Sequence, residues 1–373
     1  MNACPVKKVL ARAALFLAAA AAALLVAEGA LRAVHRRDTV LFPRYHTDAQ
    51  YGPYSLRRLR PLTSFRHTSI DGSWSFVVNR QGFRDTRDYA YDKPPDTLRV
   101  LCLGDSQTLG FEVRQDHTYA AVLERYLTGR GYRAEVMNCA ISGFSTAEEL
   151  AFLENEGLRY RPDCVVLGFF ANDLDDNLKA DLFRVKDGAL TTNKFSHLPG
   201  VAILNRLNRY AAIRWLSEHS HLYSIFFNRA WDYAKQRLSQ RRKDAVSAEL
   251  AVKETQTSDG VRRYQLQLEG LLIERMAAAC RRAGARFVFL DIPQLAGEGM
   301  AASVPPELDG ALDRAADAVF RSAEILGPYD AAGAGIFVPH GQRHLSETSH
   351  LLLGVAVGQW IAKDRPLPRS PRP

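Results

Sequence analysis

From residue 98 onward, short continuous apolar runs alternate with segments in which apolar residues recur every three or four positions. The continuous runs predict buried strands over residues 98–103, 134–138, 164–169 and 286–290. The periodic segments predict helices near residues 119–127, 146–159, 268–279, 312–323 and 346–362. Strands that alternate with helices in this way predict a parallel sheet covered on both faces.

Two regions interrupt this alternation. Residues 38–97 are polar, and two runs over 65–70 and 73–78 flank Asp71 and Gly72, which predicts a hairpin within a β-rich extension. Residues 180–260 contain no predicted strand, and 240–260 has the composition of a polar connector. An aromatic stripe at helical spacing predicts either an inserted helical hairpin packed on the core, or a lid or membrane-lying surface. Its members are Tyr223, Phe226, Phe227, Ala230, Ala234 and Leu238.

The N-terminus has the charge and hydropathy pattern of an export segment. Lys7, Lys8 and Arg12 precede an uninterrupted apolar run over residues 13–27. That run is short for a membrane span of about 20 residues, and extending it to residue 34 places Glu28 near the interface. We interpret residues 1–37 as an uncleaved single-pass anchor with the rest of the chain outside the cytoplasm. A cleaved secretory signal is the alternative.

Charge and cysteine content narrow the classes of partner and cofactor. The formal net charge is +8, but arginines are spread without a dense tract, so no nucleic-acid partner is predicted. The five cysteines form no CxxC pair, and Cys102 and Cys164 fall inside predicted buried strands, where they resemble small core residues. No phosphate-binding glycine loop or metal-ligand spacing is present, so no cofactor and no metal are predicted.

Four short polar segments lie at or just after the ends of predicted elements. They are Gly104-Asp105-Ser106, Ser142-Gly143, Ala171-Asn172-Asp173 and His344-Leu345-Ser346. In parallel α/β folds, sites gather at the carboxyl ends of the strands.

These segments contain the residue types that acyl transfer needs. A hydroxyl nucleophile requires a base within hydrogen-bond reach, and the oxyanion requires fixed donors. Ser106 supplies the hydroxyl, and His344 supplies a base. The backbone N–H groups of Ser106 and Gly143 and the side-chain amide of Asn172 are candidate oxyanion donors.

In order along the chain, the four segments resemble the conserved blocks of the SGNH/GDSL hydrolase family. The resemblance spans about residues 75–362, and residues 79–84 are similar to membrane-anchored bacterial members. It implies a flavodoxin-like α/β/α sandwich over 98–373, with a helical insertion at about 180–260. It also implies Ser106 as nucleophile and oxyanion donor, Gly143 and Asn172 as oxyanion donors, and His344 as base.

One position departs from the family pattern. The family places an aspartate two or three residues before the histidine, where this chain has Gln342 and Gly341. A Ser106–His344 dyad, orientation of the ring by Gln342 or a backbone carbonyl, and an acid from elsewhere such as Asp330 are the alternatives. Loss of activity is a fourth.

Three functions are compatible with this sequence. The first is an exported esterase that cleaves acyl esters of carbohydrate or lipid through an acyl-serine. The second is an O-acyltransferase, such as an O-acetyltransferase, that modifies an exported polysaccharide. The third is a weakly catalytic protein that binds an envelope polymer, which only the missing acid supports.

Overall fold

A computed structural model describes residues 5–34, 40–196, 200–251, 258–297, 299–340 and 344–364. The chain begins with one long helix and two antiparallel hairpins: α1 (Pro5–Val34), β1 (His46–Tyr51), β2 (Tyr54–Leu59), β3 (Ser64–Ser69) and β4 (Gly72–Val77). The hairpin predicted around Asp71 and Gly72 is present, and each of its strands begins one residue earlier than expected. Among the described residues, one helix is long and apolar enough to cross a membrane, over Lys7–Val34.

The first half of the central domain follows the predicted alternation of strands and helices. Its elements are β5 (Thr97–Gly104), α2 (Ser106–Leu109), α3 (Tyr119–Gly129), β6 (Arg133–Asn138), α4 (Thr146–Asn155), β7 (Cys164–Phe169) and α5 (Asp173–Ala180). Cys102 and Cys164 are buried in their strands, as predicted.

A mostly helical segment follows α5. It contains β8 (Phe183–Lys186), β9 (Ala189–Thr192), α6 (Gly200–Leu207), α7 (Ala211–His219) and α8 (His221–Ala251). The prediction that residues 180–260 contain no strand was wrong, because β8 and β9 form a hairpin. The polar connector predicted for 240–260 was also wrong, since α8 continues to Ala251 and the next helix begins at Ser258; residues 252–257 lie outside the described part.

The second half of the domain completes the sheet. It comprises α9 (Ser258–Arg282), β10 (Arg286–Asp291), β11 (Gln294–Ala296), β12 (Gly299–Ala301), α10 (Asp309–Ala315), β13 (Ala318–Arg321), α11 (Ser322–Ala331) and α12 (Glu347–Asp364). The single helix predicted over 312–323 was wrong, because β13 separates α10 from α11. β13 pairs with β10 in parallel, and this tertiary pairing overrides the local helical spacing.

The five-stranded sheet is parallel throughout, in the order β13-β10-β7-β5-β6. Alternate residues of β5 point to opposite faces: Val100 and Cys102 pack with α3 and α12, whereas Leu101 and Leu103 pack with α4 and α9. The result is the three-layer α/β/α sandwich that the sequence predicted. The carboxyl ends of β5, β6 and β7 lie at one edge of this sheet.

Candidate active site

Ser106 lies at the turn from β5 into α2. β5 is buried along its whole length, and Asp105 caps α2 by accepting the Gln107 N–H on its side chain at 2.8 Å. As the first residue of α2, Ser106 has a backbone N–H with no intrahelical acceptor. Its side chain is half-buried between fully buried neighbours. β5 and the Asp105 cap therefore position the Ser106 hydroxyl at the carboxyl edge of the sheet.

His344 brings its ring to this hydroxyl from a position 238 residues away in sequence. Its Nε2 atom lies 2.9 Å from Ser106 Oγ. The Leu345 N–H donates to Gln107 Oε1 at 3.1 Å, and the Val338 N–H donates to the His344 carbonyl at 2.9 Å. The ring is buried and stacks on Phe111, with centroids 4.8 Å apart. This geometry permits proton transfer from Ser106 to His344.

Gly143 and Asn172 line the same cavity as Ser106 and His344, which has a volume of about 450 Å³. Gly143 has a φ of +73°, a conformation that favours glycine. The Asn172 side chain lies just before α5 and donates to Asp176 at 3.3 Å through Nδ2. The structure thus brings together the four residues that the sequence predicted as nucleophile, base and oxyanion donors.

Sequence reasoning missed Arg57, which reaches this loop from β2. Its buried guanidinium donates through Nη2 to the Gly143 carbonyl and lies over the Phe144 ring, 5.6 Å from the centroid. No local pattern in β2 distinguishes this arginine from its neighbour Arg58. Arg57 fixes the peptide plane between Gly143 and Phe144, and so it restrains the loop that carries the Gly143 N–H.

We expect Arg57→Met to lower kcat by about tenfold or more while leaving the protein folded, because the Gly143 loop loses its restraint. Arg58→Met is the matched control, since the Arg58 guanidinium contacts the Gln81 carbonyl instead. Steady-state kinetics and thermal melts of both variants test this expectation. Equal kcat values for the two variants would contradict it.

Glu112 is the second residue that the sequence did not reveal. Its buried carboxylate lies 3.9 Å from His344 Nδ1 through Oε2 and 3.6 Å from His67 Nε2 through Oε1. His67 comes from β3, is fully buried, and packs on Phe111 at 4.3 Å between ring centroids. The four polar groups therefore follow one another in the order Ser106, His344, Glu112 and His67.

The loop that carries Glu112 is held by Arg84. This buried guanidinium donates to the carbonyls of Leu109 at 2.9 Å, Val113 at 2.7 Å and Gly110, and it lies 3.7 Å from the Phe76 ring centroid. Arg84 ends the segment 79–84 singled out in the sequence. That segment thus restrains the loop between the nucleophile helix and Glu112.

The charges of this group follow from its surroundings. Burial lowers the pKa of His344 to about 4; the Glu112 carboxylate opposes this shift, and His67 adds to it. Burial raises the pKa of Glu112, but His67, Ser69 and His344 bring it below its usual value. At neutral pH the site therefore holds an ionised Glu112 and an unprotonated His344, which is the form that acts as a base.

The two other orienting candidates have different positions. Gln342 lies outside the described residues. Asp330 is exposed near the end of α11 and forms no ion pair with His344 within the described part of the chain. His350, next to the site in sequence, is buried in α12 and accepts the Tyr119 N–H at 3.0 Å, as expected for a packing residue.

A three-layer α/β/α sandwich with a Ser–His pair at its carboxyl edge defines a class of hydrolase. The chain belongs to the SGNH/GDSL family, because the model of the GDSL-like lipase/acylhydrolase family matches residues 102–350. The search of curated proteins gave no match.

Several solved structures are similar to this chain over most of its length. TesA is 17% identical with a TM-score of 0.36, covering 70% of this chain and 97% of TesA. The psychrotrophic esterase EstA from Pseudoalteromonas sp. is 12% identical with a TM-score of 0.38, covering 71% and 97% of the two chains. A catalytic mutant of the acetylxylan esterase Axe2 from Geobacillus stearothermophilus is 11% identical with a TM-score of 0.39, covering 70% and 93%.

Proposed function

We propose that this protein is a membrane-anchored serine esterase that cleaves acyl esters of carbohydrate or lipid outside the cytoplasm. The observation that carries the proposal is the 2.9 Å contact between Ser106 Oγ and His344 Nε2 in a cavity shared with Gly143 and Asn172. In this proposal, residues 1–37 form the anchor, 38–97 the extension and 98–373 the hydrolase domain.

The first half of the reaction forms the acyl-enzyme. Ser106 Oγ attacks the ester carbonyl carbon while His344 Nε2 takes its proton. The carbonyl oxygen becomes an oxyanion that accepts hydrogen bonds from the backbone N–H groups of Ser106 and Gly143 and from the Asn172 amide. When the intermediate collapses, the ester C–O bond breaks, and the alcohol leaves with the proton from His344.

The second half of the reaction releases the acid. A water molecule gives its proton to His344 Nε2 and attacks the acyl carbon. The same donors stabilise the second oxyanion, and Ser106 Oγ regains its proton from His344 as the carboxylic acid departs.

Glu112 completes this proposed machinery as the acid that this chain lacks at the position usual in the family. An ionised carboxylate beside Nδ1 holds the imidazole with Nε2 towards Ser106 and stabilises the imidazolium that forms during each half-reaction. The 3.9 Å separation between Glu112 Oε2 and His344 Nδ1 is longer than a hydrogen bond, and in this proposal it shortens when substrate binds and the imidazolium forms. His67 supports Glu112 from its other side.

The walls of the cavity suit a polar ester better than a long aliphatic one. Beside the catalytic groups, it is lined by polar or charged side chains and by four aromatic rings: Arg44, Asn228, Arg229, Asp232 and Lys235, and Phe42, Phe111, Phe170 and Trp231. Such a mixture of hydrogen-bonding groups with aromatic rings is suited to a sugar. We therefore favour a short acyl ester of a carbohydrate as the substrate.

The pKa of His344 predicts the acidic limb of the pH profile. A base with a lowered pKa stays unprotonated to lower pH, so kcat/KM should fall only near pH 4 to 5 and stay level up to neutral pH. Initial rates on a non-ionising acetyl ester across this range, with thermal melts at each pH, check the expectation. A limb centred near the ordinary histidine pKa of about 6.5 would contradict it.

Turnover without an acceptor tests hydrolysis against acyl transfer. We expect the full chain in detergent to release acetate from p-nitrophenyl acetate whether or not a polysaccharide is added. Release of p-nitrophenol that requires the polysaccharide, together with acetyl groups on the glycan, would instead make the protein an O-acetyltransferase.

A further inference from the structure

The last turns of α1 are joined to the beginning of α8 through Glu28. The Glu28 carboxylate accepts hydrogen bonds from Ser220 Oγ at 2.7 Å and from the backbone N–H groups of the next two residues, both at 2.9 Å. Arg32 donates to Glu28 at 2.8 Å and to the His219 carbonyl at 2.6 Å. A carboxylate beside lipid is costly unless it is paired, and here it satisfies N–H groups that α8 cannot pair itself. The beginning of α8 is therefore fixed to this end of α1.

Helix length places this junction at the edge of the bilayer. The 23 residues of α1 before Glu28 extend for about 35 Å, which is enough to cross a hydrocarbon core about 30 Å thick. An α1 that crosses the membrane consequently places Glu28, Arg32 and the first turn of α8 at the boundary between lipid and water.

α8 has two different faces as it leaves this boundary. Ser224, Asn228, Trp231 and Lys235 share one face and line the active-site cavity. The opposite face, which we call the outer face, carries Phe226, Tyr233 and Arg237 at helical spacing.

The outer face combines exposed aromatic rings with basic groups. Phe226 is 76% exposed and Tyr233 is 59% exposed, and the Arg237 guanidinium lies over the Tyr233 ring. Trp215 of α7 is 59% exposed and stacks on His219, the residue whose carbonyl binds Arg32. Exposed aromatic side chains beside arginines are typical of segments that lie in a membrane interface.

The helical segment from α6 to α8 carries a net positive charge, which an anionic lipid surface would attract. Residues 200–251 contain nine basic and four acidic residues. Two of the acidic residues are directed towards the protein, because Glu218 accepts the Tyr45 hydroxyl at 2.8 Å and Asp232 lines the cavity. Three of the basic residues also face the protein: Lys235 lines the cavity, and Arg242 and Lys243 form ion pairs with Asp181 and Asp175. Among the exposed charged residues of the outer face, Arg237 and the nearby Arg241 are positive and Asp244 is negative, so positive charge predominates.

We propose that the outer face of α8 and Trp215 lie on the anionic headgroups of the membrane that α1 spans. The active-site cavity, on the other side of α8, then opens beside the bilayer surface, where acyl esters held at the membrane reach Ser106. This inference rests on the proposed anchor, but it does not depend on the catalytic roles.

Depth-dependent quenching on the full chain tests the proposal. Phe226→Cys is labelled with an environment-sensitive fluorophore in a Cys4→Ser background, because the other four cysteines are buried. The protein is placed in nanodiscs of phosphatidylcholine and phosphatidylglycerol that contain lipids spin-labelled near the headgroup. Leu351→Cys is the matched control: Leu351 is 49% exposed on α12, a helix that packs on α3.

We expect quenching at position 226 to be several-fold stronger than at 351, and to decrease when phosphatidylglycerol is omitted or salt is raised. Equal, weak quenching at both positions in protein that co-purifies with the nanodiscs would overturn the proposal. Failure to co-purify would overturn it together with the anchor. Labelling of Ser106 by a fluorophosphonate in the same samples reports the esterase site independently.

Discussion

Ser106→Ala is expected to lower kcat for p-nitrophenyl acetate by about 10⁵- to 10⁶-fold, to a residual rate that only the oxyanion donors and substrate binding support. The reason is that the alanine side chain cannot form the acyl-enzyme, and His344 then has no hydroxyl to deprotonate. The other groups of the site keep their positions, because Asp105 caps α2 independently of the serine side chain. Steady-state kinetics with active-site titration measures the loss.

Ser142→Ala provides the control for this variant. Ser142 lines the same cavity and adjoins Gly143, but its hydroxyl has no role in the proposed reaction. We expect it to retain activity within a few-fold of the parent protein. If Ser106→Ala keeps a tenth or more of the parent kcat, Ser106 is not the nucleophile.

Glu112→Gln is expected to lower kcat by about 10³-fold or more, with a much smaller change in KM. Glutamine has the shape of glutamate but carries no charge, so the imidazolium of His344 loses its stabilising partner in both half-reactions. Because Glu112 also opposes the downward pKa shift of His344, its loss should move the acidic limb of kcat/KM to still lower pH. A residue with only a packing role would not move that limb.

Glu112→Asp separates charge from shape. The shorter side chain keeps the carboxylate, so we expect it to recover part of the kcat lost in Glu112→Gln and to restore the position of the acidic limb. Glu347→Gln is the control, since Glu347 pairs with Arg114 away from Ser106. Near-parental kcat in a folded Glu112→Gln protein would show that the Ser106–His344 pair acts without this acid.

Most of the sheet could be predicted from the sequence, because its central strands are continuous apolar runs buried on both faces. The edge strand β13 could not, since its four residues continue the helical spacing of α10 and only pairing with β10 makes them a strand. The β8–β9 hairpin did carry a local signal. Asp187 and Gly188 join its strands, both with positive φ, as the tight turns of hairpins require.

The groups with direct roles in the proposed reaction could be predicted from the sequence, whereas the residues that position them could not. Ser106, Gly143, Asn172 and His344 stand in recognisable segments at strand ends, so their order along the chain identifies them. Glu112 and Arg57 have no such segment, because tertiary contacts alone fix their directions.

For Glu112, those contacts come from distant parts of the chain. The carboxylate reaches His344 because Arg84 shapes its loop and because β3 brings His67 behind it. The spacing of residues along the chain does not indicate that Glu112 contacts His344. An acid outside its usual position is therefore visible only after the hairpin and the loop are folded together.

Active-site labelling tests the central claim most directly. The full chain in detergent is treated with a fluorophosphonate probe, and the modified residue is located by peptide mass spectrometry, with Ser106→Ala treated in parallel. We predict one phosphonylated residue, Ser106, and no labelling of the variant. A folded parent protein that remains unlabelled, or that is labelled at another serine, would contradict the proposal that it acts through an acyl-Ser106 intermediate.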